Sequence, residues 1–349
     1  MVTMKDVAAH AKVAISTVST VINNKACVSK KTREQVERSI HELGYTKNPY
    51  ASSLKRRKSD TIAVLIPNIT SVFFPEILNG IACAARESGT AIIFCNTGAS
   101  IGGEREYMRI MKNYWIKGII VDTVADLATD AEYYDFIANE LIGENGTSVV
   151  VLESDLADTR ISTVSVDNLN SAYACTKHLL ELGHTRIAHI SGRSDRRFVR
   201  LRTEGYRKAL TQYGVEIDPA LTVHGDFSPV SGYAATKKLL REGHEFSAIF
   251  AANDQMLIGG IKALKENGLA VPGDVAAVGF DNIFVASLVD PPLTTIDVPR
   301  YEMGYKAMSL VLHDDHSSAD KRNVVYEGNL IVRQSSDPNS RASWDLHGW

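Results

Sequence analysis

Apolar positions along this chain change their period near residue 60. Over residues 3–23, Val7, Ala8, Ala11, Val13, Val18, Val21 and Ile22 recur in three- and four-residue steps, which predicts two short helices, each with one apolar stripe. The break falls at residues 12–15, and Ser16 and Thr17 stand where the second helix needs an N-cap. A third helix is predicted over 31–43, with Val36, Ile40 and Leu43 on one face and Gly44 placed to end it. Two short helices joined by a tight turn make a helix-turn-helix. From residue 61 the pattern becomes short, continuous apolar runs at 61–66, 91–95, 118–121, 148–152, 187–191, 248–251 and 275–280. Between most of them lie stretches of helical spacing, such as 76–88, 172–182, 204–213 and 256–267. Unbroken apolar strands alternating with helices indicate parallel sheets covered on both faces, hence an α/β fold. About a dozen strands are too many for one small sheet, so two lobes are expected. A weak echo supports this: Leu179-Leu180-x-x-Gly183-His184 recurs as Leu239-Leu240-x-x-Gly243-His244.

Charge sharpens the division. Residues 1–60 hold 12 Lys+Arg against 5 Asp+Glu, a net of +7, and the remainder holds 26 against 36, a net of −10. A basic head on an acidic body is the asymmetry of a nucleic-acid module attached to something larger. No apolar run is long enough to span a bilayer, and the first twelve residues lack the pattern of a signal peptide, so a cytoplasmic protein with no membrane partner is expected. Cys27, Cys83, Cys95 and Cys175 have neither metal spacing nor a disulfide framework and read as buried free thiols.

The second helix carries Ile15, Ser16, Thr17, Ser19, Thr20 and Asn23 on the side its apolar stripe leaves free. These residues are short and uncharged, which suits close entry into a major groove. Further on, Asn48 and Pro49 can start a helix of about eight residues in which Leu54 is followed at once by the cations Lys55 to Lys58. Such a helix is too short to stand alone in water. It suits a Leu54 wedge in a minor groove, with Lys55 and its neighbours on flanking phosphates. The alternative is a flexible basic linker.

Taken together, Lys5-Asp6-Val7-Ala8, Thr17-Val18-Ser19, Val21-Ile22-Asn23, Val28-Ser29, Thr32-Arg33, Gly44-Tyr45 and Ala51-x-Ser53-Leu54 resemble the lac-repressor/galactose-repressor family of bacterial transcription regulators. The resemblance continues to about residue 338. It implies a helix-turn-helix domain over 1–47, a hinge helix and linker over 48–60, a periplasmic-binding-protein-like body of doubly wound parallel sheets over 61–338, and a tail over 339–349. Lobe 1 would hold about 61–162 and 292–322, and lobe 2 about 163–291 and 323–338. A homodimer would read a near-palindromic double-stranded operator, and Lys5, Arg33 and Ala51 join the DNA-binding candidates. Three head positions depart from the family: Lys12 stands where Gly is frequent, Lys47 where Pro is usual, and Ser52 where Arg is common.

Charged and amide residues follow several of the body's strands, where loops carry chemistry: Glu153 and Asp155, Arg193 to Arg202, Asn253-Asp254 and Asp281-Asn282. Each alone reads equally as a helix cap. The resemblance places Arg196, Arg202, Asn253 and Asp281 at effector-binding positions, with Phe73, Phe74 and Phe227 as an aromatic wall. Glu153 falls where Asp is common, and Ser71-Val72-Phe73-Phe74 replaces the usual Asn-Pro-Phe-Phe. The effector expected is a sugar, sugar acid, sugar phosphate or nucleoside; five guanidiniums between Arg193 and Arg202 favour an anion if two of them face the cleft. No phosphate loop, nucleophile elbow or zincin helix occurs, so neither cofactor nor enzymatic activity is expected. His313-Asp314-Asp315-His316 reads as a solvated loop and not a metal site. A transport-type sugar-binding protein would have no use for the basic head, and a doubly wound enzyme would need a catalytic constellation that the sequence lacks.

Overall fold

The computed structural model describes residues 2–22, 27–46, 59–154, 161–193, 196–314 and 323–341. The hinge segment 48–58, with Ala51, Leu54 and Lys55, lies outside them, as do Asn23, Asp155, His316 and the end of the tail. The chain divides into two compact units, Met1–Ser59 and Asp60–Trp349.

In the first unit, α1 (Met4–His10), α2 (Ile15–Ile22) and α3 (Lys30–Leu43) close on a core of Val7, Ala8, Ala11, Val18, Val21 and Val36. These side chains are small, so three short helices can approach closely. A capping box starts α1: Thr3 Oγ1 accepts from Asp6 N at 3.4 Å, and Thr3 N donates to Asp6 Oδ2 at 2.7 Å. After α1, Lys12 N donates to Ala9 O and Val13 N to Ala8 O, which puts Lys12 in the left-handed region at φ +47°. The turn therefore needs the conformation that Gly adopts freely. Helix α2 begins one residue before the expected cap. Ser16 and Thr17 lie in its first turn, and Thr17 N and Val18 N donate to Ala14 O instead. Ser29 caps α3, and Gly44 ends it at φ +60°.

In the second unit, six parallel strands run in the order β11-β5-β4-β3-β1-β2. They are β1 (Thr61–Ile66), β2 (Ala91–Asn96), β3 (Gly118–Asp122), β4 (Ser148–Leu152), β5 (Ser162–Val166) and β11 (Asn323–Tyr326). Alternate residues serve different cores. Ile62, Val64 and Ile66 pack with α4 (Phe74–Ser88) and α11 (Arg300–Leu312), while Ala63 and Leu65 face Met108, Met111 and Tyr133. Coverage on both faces is why these strands read as unbroken apolar runs. The second sheet, β7-β6-β8-β9, joins β6 (Ile187–Ser191), β7 (Thr222–His224), β8 (Ala248–Ala251) and β9 (Ala276–Val278), again in parallel. Single bridges, Val278 to Thr294 and Asp281 to Asp297, tie it to β10 (Thr295–Asp297), which pairs antiparallel with β12 (Asn329–Ile331).

Three expectations are corrected here. Strands β5 and β11 pair into the first sheet, and β10 joins the second. The chain therefore crosses between lobes after 166, after 297 and after 326, not at the boundaries expected near 162, 291 and 322. Ser162, Thr163 and Ser165 give β5 no apolar signature, and its sheet is decided by distant pairing. The run expected as a strand over 275–280 is shortened to 276–278. Of the four thiols, Cys95 and Cys175 are buried, Cys83 is half-buried and Cys27 is exposed.

Candidate functional site

The second unit holds a cavity of about 220 Å³ between its two sheets, at the C-terminal ends of the parallel strands. All eight residues expected to bind an effector line it: Phe73, Phe74, Glu153, Arg196, Arg202, Phe227, Asn253 and Asp281. Phe73 and Phe74 enter at the start of α4, with rings edge to face at 5.3 Å. Glu153 follows β4 at φ +52°, Asp281 follows β9 at φ +104°, and Phe227 lies between β7 and α9 (Pro229–Arg241) at φ +70°. With Ala99 at φ +54°, four non-glycine residues in the left-handed region line one cleft and mark backbone held in place by its surroundings. Gly192, after β6, makes room for Phe227: a Cβ there would lie 2.2 Å from its ring.

Arg202, in the middle of α8 (Arg197–Gln212), is only 3% exposed. Its Nε donates to Asn168 Oδ1 at 2.7 Å and its Nη1 to Ala252 O at 2.5 Å. Nη1 also lies 3.5 Å from Asp281 Oδ1, and the guanidinium sits 3.6 Å from the centroid of the Phe280 ring. Burial pushes the Asp281 carboxyl up to about 6, against the pull of Arg202 and Arg300. Asn253 is the N-cap of α10 (Asp254–Glu266). Its Oδ1 accepts from Met256 N at 2.9 Å and its Nδ2 donates to Phe227 O at 3.1 Å. Both ends of that amide are thus engaged within the protein. The Glu153 carboxyl accepts from Asn168 Nδ2 at 3.2 Å through Oε2, and burial raises it to about 7.

Of the five guanidiniums between Arg193 and Arg202, only Arg196 and Arg202 line the cavity. Arg200 instead crosses between lobes to Asp126. A second bridge joins Ser71 Oγ to Gln255 Oε1 at 3.3 Å. Asp254, which opens α10, is buried as a structural acceptor for Ile283 N and Thr295 Oγ1. Asn282 likewise ties Asp297 to Arg333.

Nine of the lining residues are not among those candidates, Asp122 and Phe198 being two of them. Asp122 ends β3 and is the strand-end carboxylate that the same rule would have found, while Phe198 is hidden within the arginine run. The Phe198 and Phe227 rings lie 5.6 Å apart, and Arg202 sits over Phe198.

On α2, Ile15 is 45% exposed and Ser16 is exposed, while Thr17, Ser19 and Thr20 are half-buried. Thr20 Oγ1 donates back to Ser16 O at 2.8 Å. Lys5 is exposed and Arg33 half-buried.

A helix-turn-helix unit in one chain with a two-lobed body that holds a cleft is the architecture of a DNA-binding regulator. Residues 3–48 match the family model of bacterial regulatory proteins, lacI family, and residues 176–336 that of a periplasmic binding protein-like domain. The transcriptional repressor CytR of Escherichia coli (strain K12) is 34% identical over 337 residues, 96% of each chain. The transcriptional regulator RegA of Clostridium saccharobutylicum is 34% identical over 340 residues, 95% of this chain and 98% of its own. Among solved structures, a lac repressor dimer bound to operator and the anti-inducer ONPF is similar at a TM-score of 0.86 and 28% identity, covering 96% of this chain and 99% of that one. The chain belongs to the lacI family of bacterial regulatory proteins. It is a DNA-binding transcription regulator, not an enzyme. Among the described residues, no helix is long and apolar enough to cross a membrane and no cluster of side chains could hold a metal ion.

Proposed function

We propose that this regulator is a repressor of genes for sugar or nucleoside uptake and catabolism, binding a near-palindromic operator as a homodimer and responding to a small molecule in the cleft. The observation that carries the reading is that side chains from both sheets line one cavity. A ligand touching both lobes binds their closed arrangement better than an open one, and only such differential affinity can shift a conformational equilibrium. The relatives agree in kind. CytR is named a transcriptional repressor, and CelR, 31% identical with a TM-score of 0.71, was solved as a complex with cellobiose. In the head, Ile15, Ser16, Thr17, Ser19 and Thr20 would meet base edges, with Lys5 and Arg33 on phosphates; Leu54 would act as the minor-groove wedge.

The test is an operator titration at several salt concentrations, with and without ligand. The full chain should bind one near-palindrome with steep salt dependence. Residues 60–349 should lose specific binding by at least about a thousandfold, and Asp281→Asn should abolish the response to ligand. Specific operator binding by residues 60–349, or a full response in the variant, overturns the reading.

A further inference from the structure

Hydrogen-bonding capacity in the cleft is unevenly used. Arg202 and Asn253 are committed to partners within the protein. Asp122 Oδ1 and Glu153 Oε1, by contrast, are buried without any hydrogen-bond partner among the described residues. Both residues line the cavity, and they are only 5% and 9% exposed. A bare carboxylate oxygen so buried is unfavourable unless a donor reaches it. The fold can satisfy a buried carboxylate in this place. Beside Asp122, Glu104 accepts from Tyr133 Oη at 2.5 Å, Thr123 Oγ1 at 2.7 Å and Val124 N at 2.8 Å. Asp122 and Glu153 have therefore been left open where the neighbouring acid was not.

We infer that Asp122 and Glu153 form an acceptor edge that selects an uncharged ring bearing at least two hydrogen-bond donors and shuts out anions. The inference rests on the reading of the cleft as the effector site. Four carboxylates, Asp122, Glu153, Asp226 and Asp281, line the cavity against two guanidiniums. Of these two, Arg202 already serves Asn168, Ala252 and Asp281. An anion would meet the acidic edge with Arg196 alone to answer it. Burial also pushes Asp122 and Glu153 up to about 7, so this environment disfavours negative charge, on its own carboxyls as on a ligand. In the same cavity, Phe73, Phe74, Phe198 and Phe227 offer apolar surface for a ring's C–H face. A neutral sugar or the ribose of a nucleoside has both features; a sugar acid or sugar phosphate adds the charge that the edge rejects. Two arginines at the cleft, taken alone, argue for an anion, and the hydrogen bonds that commit Arg202 within the protein reverse that argument. Asp122 thereby becomes a specificity residue.

The experiment uses calorimetry on the full-length chain with matched probes: ribose and ribose 5-phosphate, glucose with gluconate and glucose 6-phosphate, cellobiose and cellobionate, uridine and uridine monophosphate. At least one neutral member should bind, with its anionic partner weaker by about a hundredfold or more. Asp122→Asn should shrink that ratio at least tenfold. Glu153→Gln should do the same and carries the test if the first variant fails to fold, which a melt without ligand reveals. The proposal is overturned if an anion binds wild type as well as its neutral partner, if no neutral member binds, or if both folded variants keep the wild-type ratio. Neutral binding untouched by Phe227→Ala and Asp281→Asn has a different meaning: it puts the ligand outside the cleft and takes down the reading beneath the proposal.

Discussion

Helix α2 and the interlobe cleft handle polar groups in opposite ways. On α2, Ile15 and Ser16 stand in solvent beside half-exposed Thr17, Ser19 and Thr20, and none of the five is charged. In the cleft, Arg202, Asp281 and Asn253 are all buried and already hydrogen-bonded. The difference follows from what each must meet. DNA is large, solvated and brings its own dense charge, so short neutral side chains suffice at base edges while cations elsewhere meet phosphates. A small molecule has little surface, and its recognition depends on dipoles held ready in a place water leaves. Stability and recognition are therefore separable on α2 and entangled in the cleft.

The largest effect expected from that contrast is in the cleft. Arg202→Ala leaves Asp281 and Asn168 without their buried partner and should destabilise the protein by about 3–5 kcal/mol. Urea unfolding measures it, and a loss below 1 kcal/mol would show that the network is dispensable.

Next in size is a pH effect of up to roughly 3 kcal/mol. Asp122 is raised by burial from its ordinary carboxylate value to about 7, so the native state binds a proton that the unfolded chain releases near pH 4. Stability from this group therefore falls as pH rises from about 4 to about 7. Buried His189, lowered to about 4, acts in the opposite sense up to about 6.5. Comparing Asp122→Asn with wild type cancels the histidine: the variant should gain relative stability steadily from pH 4 to 7. A pH-independent difference would remove the strain assigned to Asp122.

On α2 the prediction is a dissociation of the two properties. Ser16→Ala should lower operator affinity by about 1–3 kcal/mol if Ser16 reads a base, yet move the melting free energy by less than about 0.5 kcal/mol. Equal losses in both would mean that α2 obeys the same rule as the cleft. Smallest is Lys12→Gly. A non-glycine residue at φ +47° costs about 1 kcal/mol, so the variant should stabilise the head by about that amount in a thermal melt.

Much of this was legible in the chain. Local periodicity announced the three head helices, because a 3.6-residue stripe has no other use, and the doubly covered strands, because only buried runs stay apolar at every position. Lys12 was readable as a departure from the family's frequent glycine, and its φ of +47° supplies the strain. Ser16 and Thr17 were misread as caps, because the backbone of Ala14 supplies the acceptor and a composition rule sees only side chains.

What the sequence by itself determined was therefore the head's three helices, seven of the body's strands, the division into a basic head and a two-lobed body, and the charged residues at several strand ends. The tertiary structure alone decided which sheet takes β5 and β11, since their pairing joins positions some 160 residues apart. It also decided how the cleft's side chains are used. An arginine in a sequence offers five donors and a carboxylate two acceptor oxygens, and nothing local says which are already engaged. Only the fold brings Asn168, Ala252 O and Asp281 to Arg202, and only the lack of a neighbouring donor leaves Asp122 Oδ1 and Glu153 Oε1 open. Hydrogen-bond satisfaction is a property of three-dimensional neighbours, and it decides whether the same residues would hold an anion or exclude one.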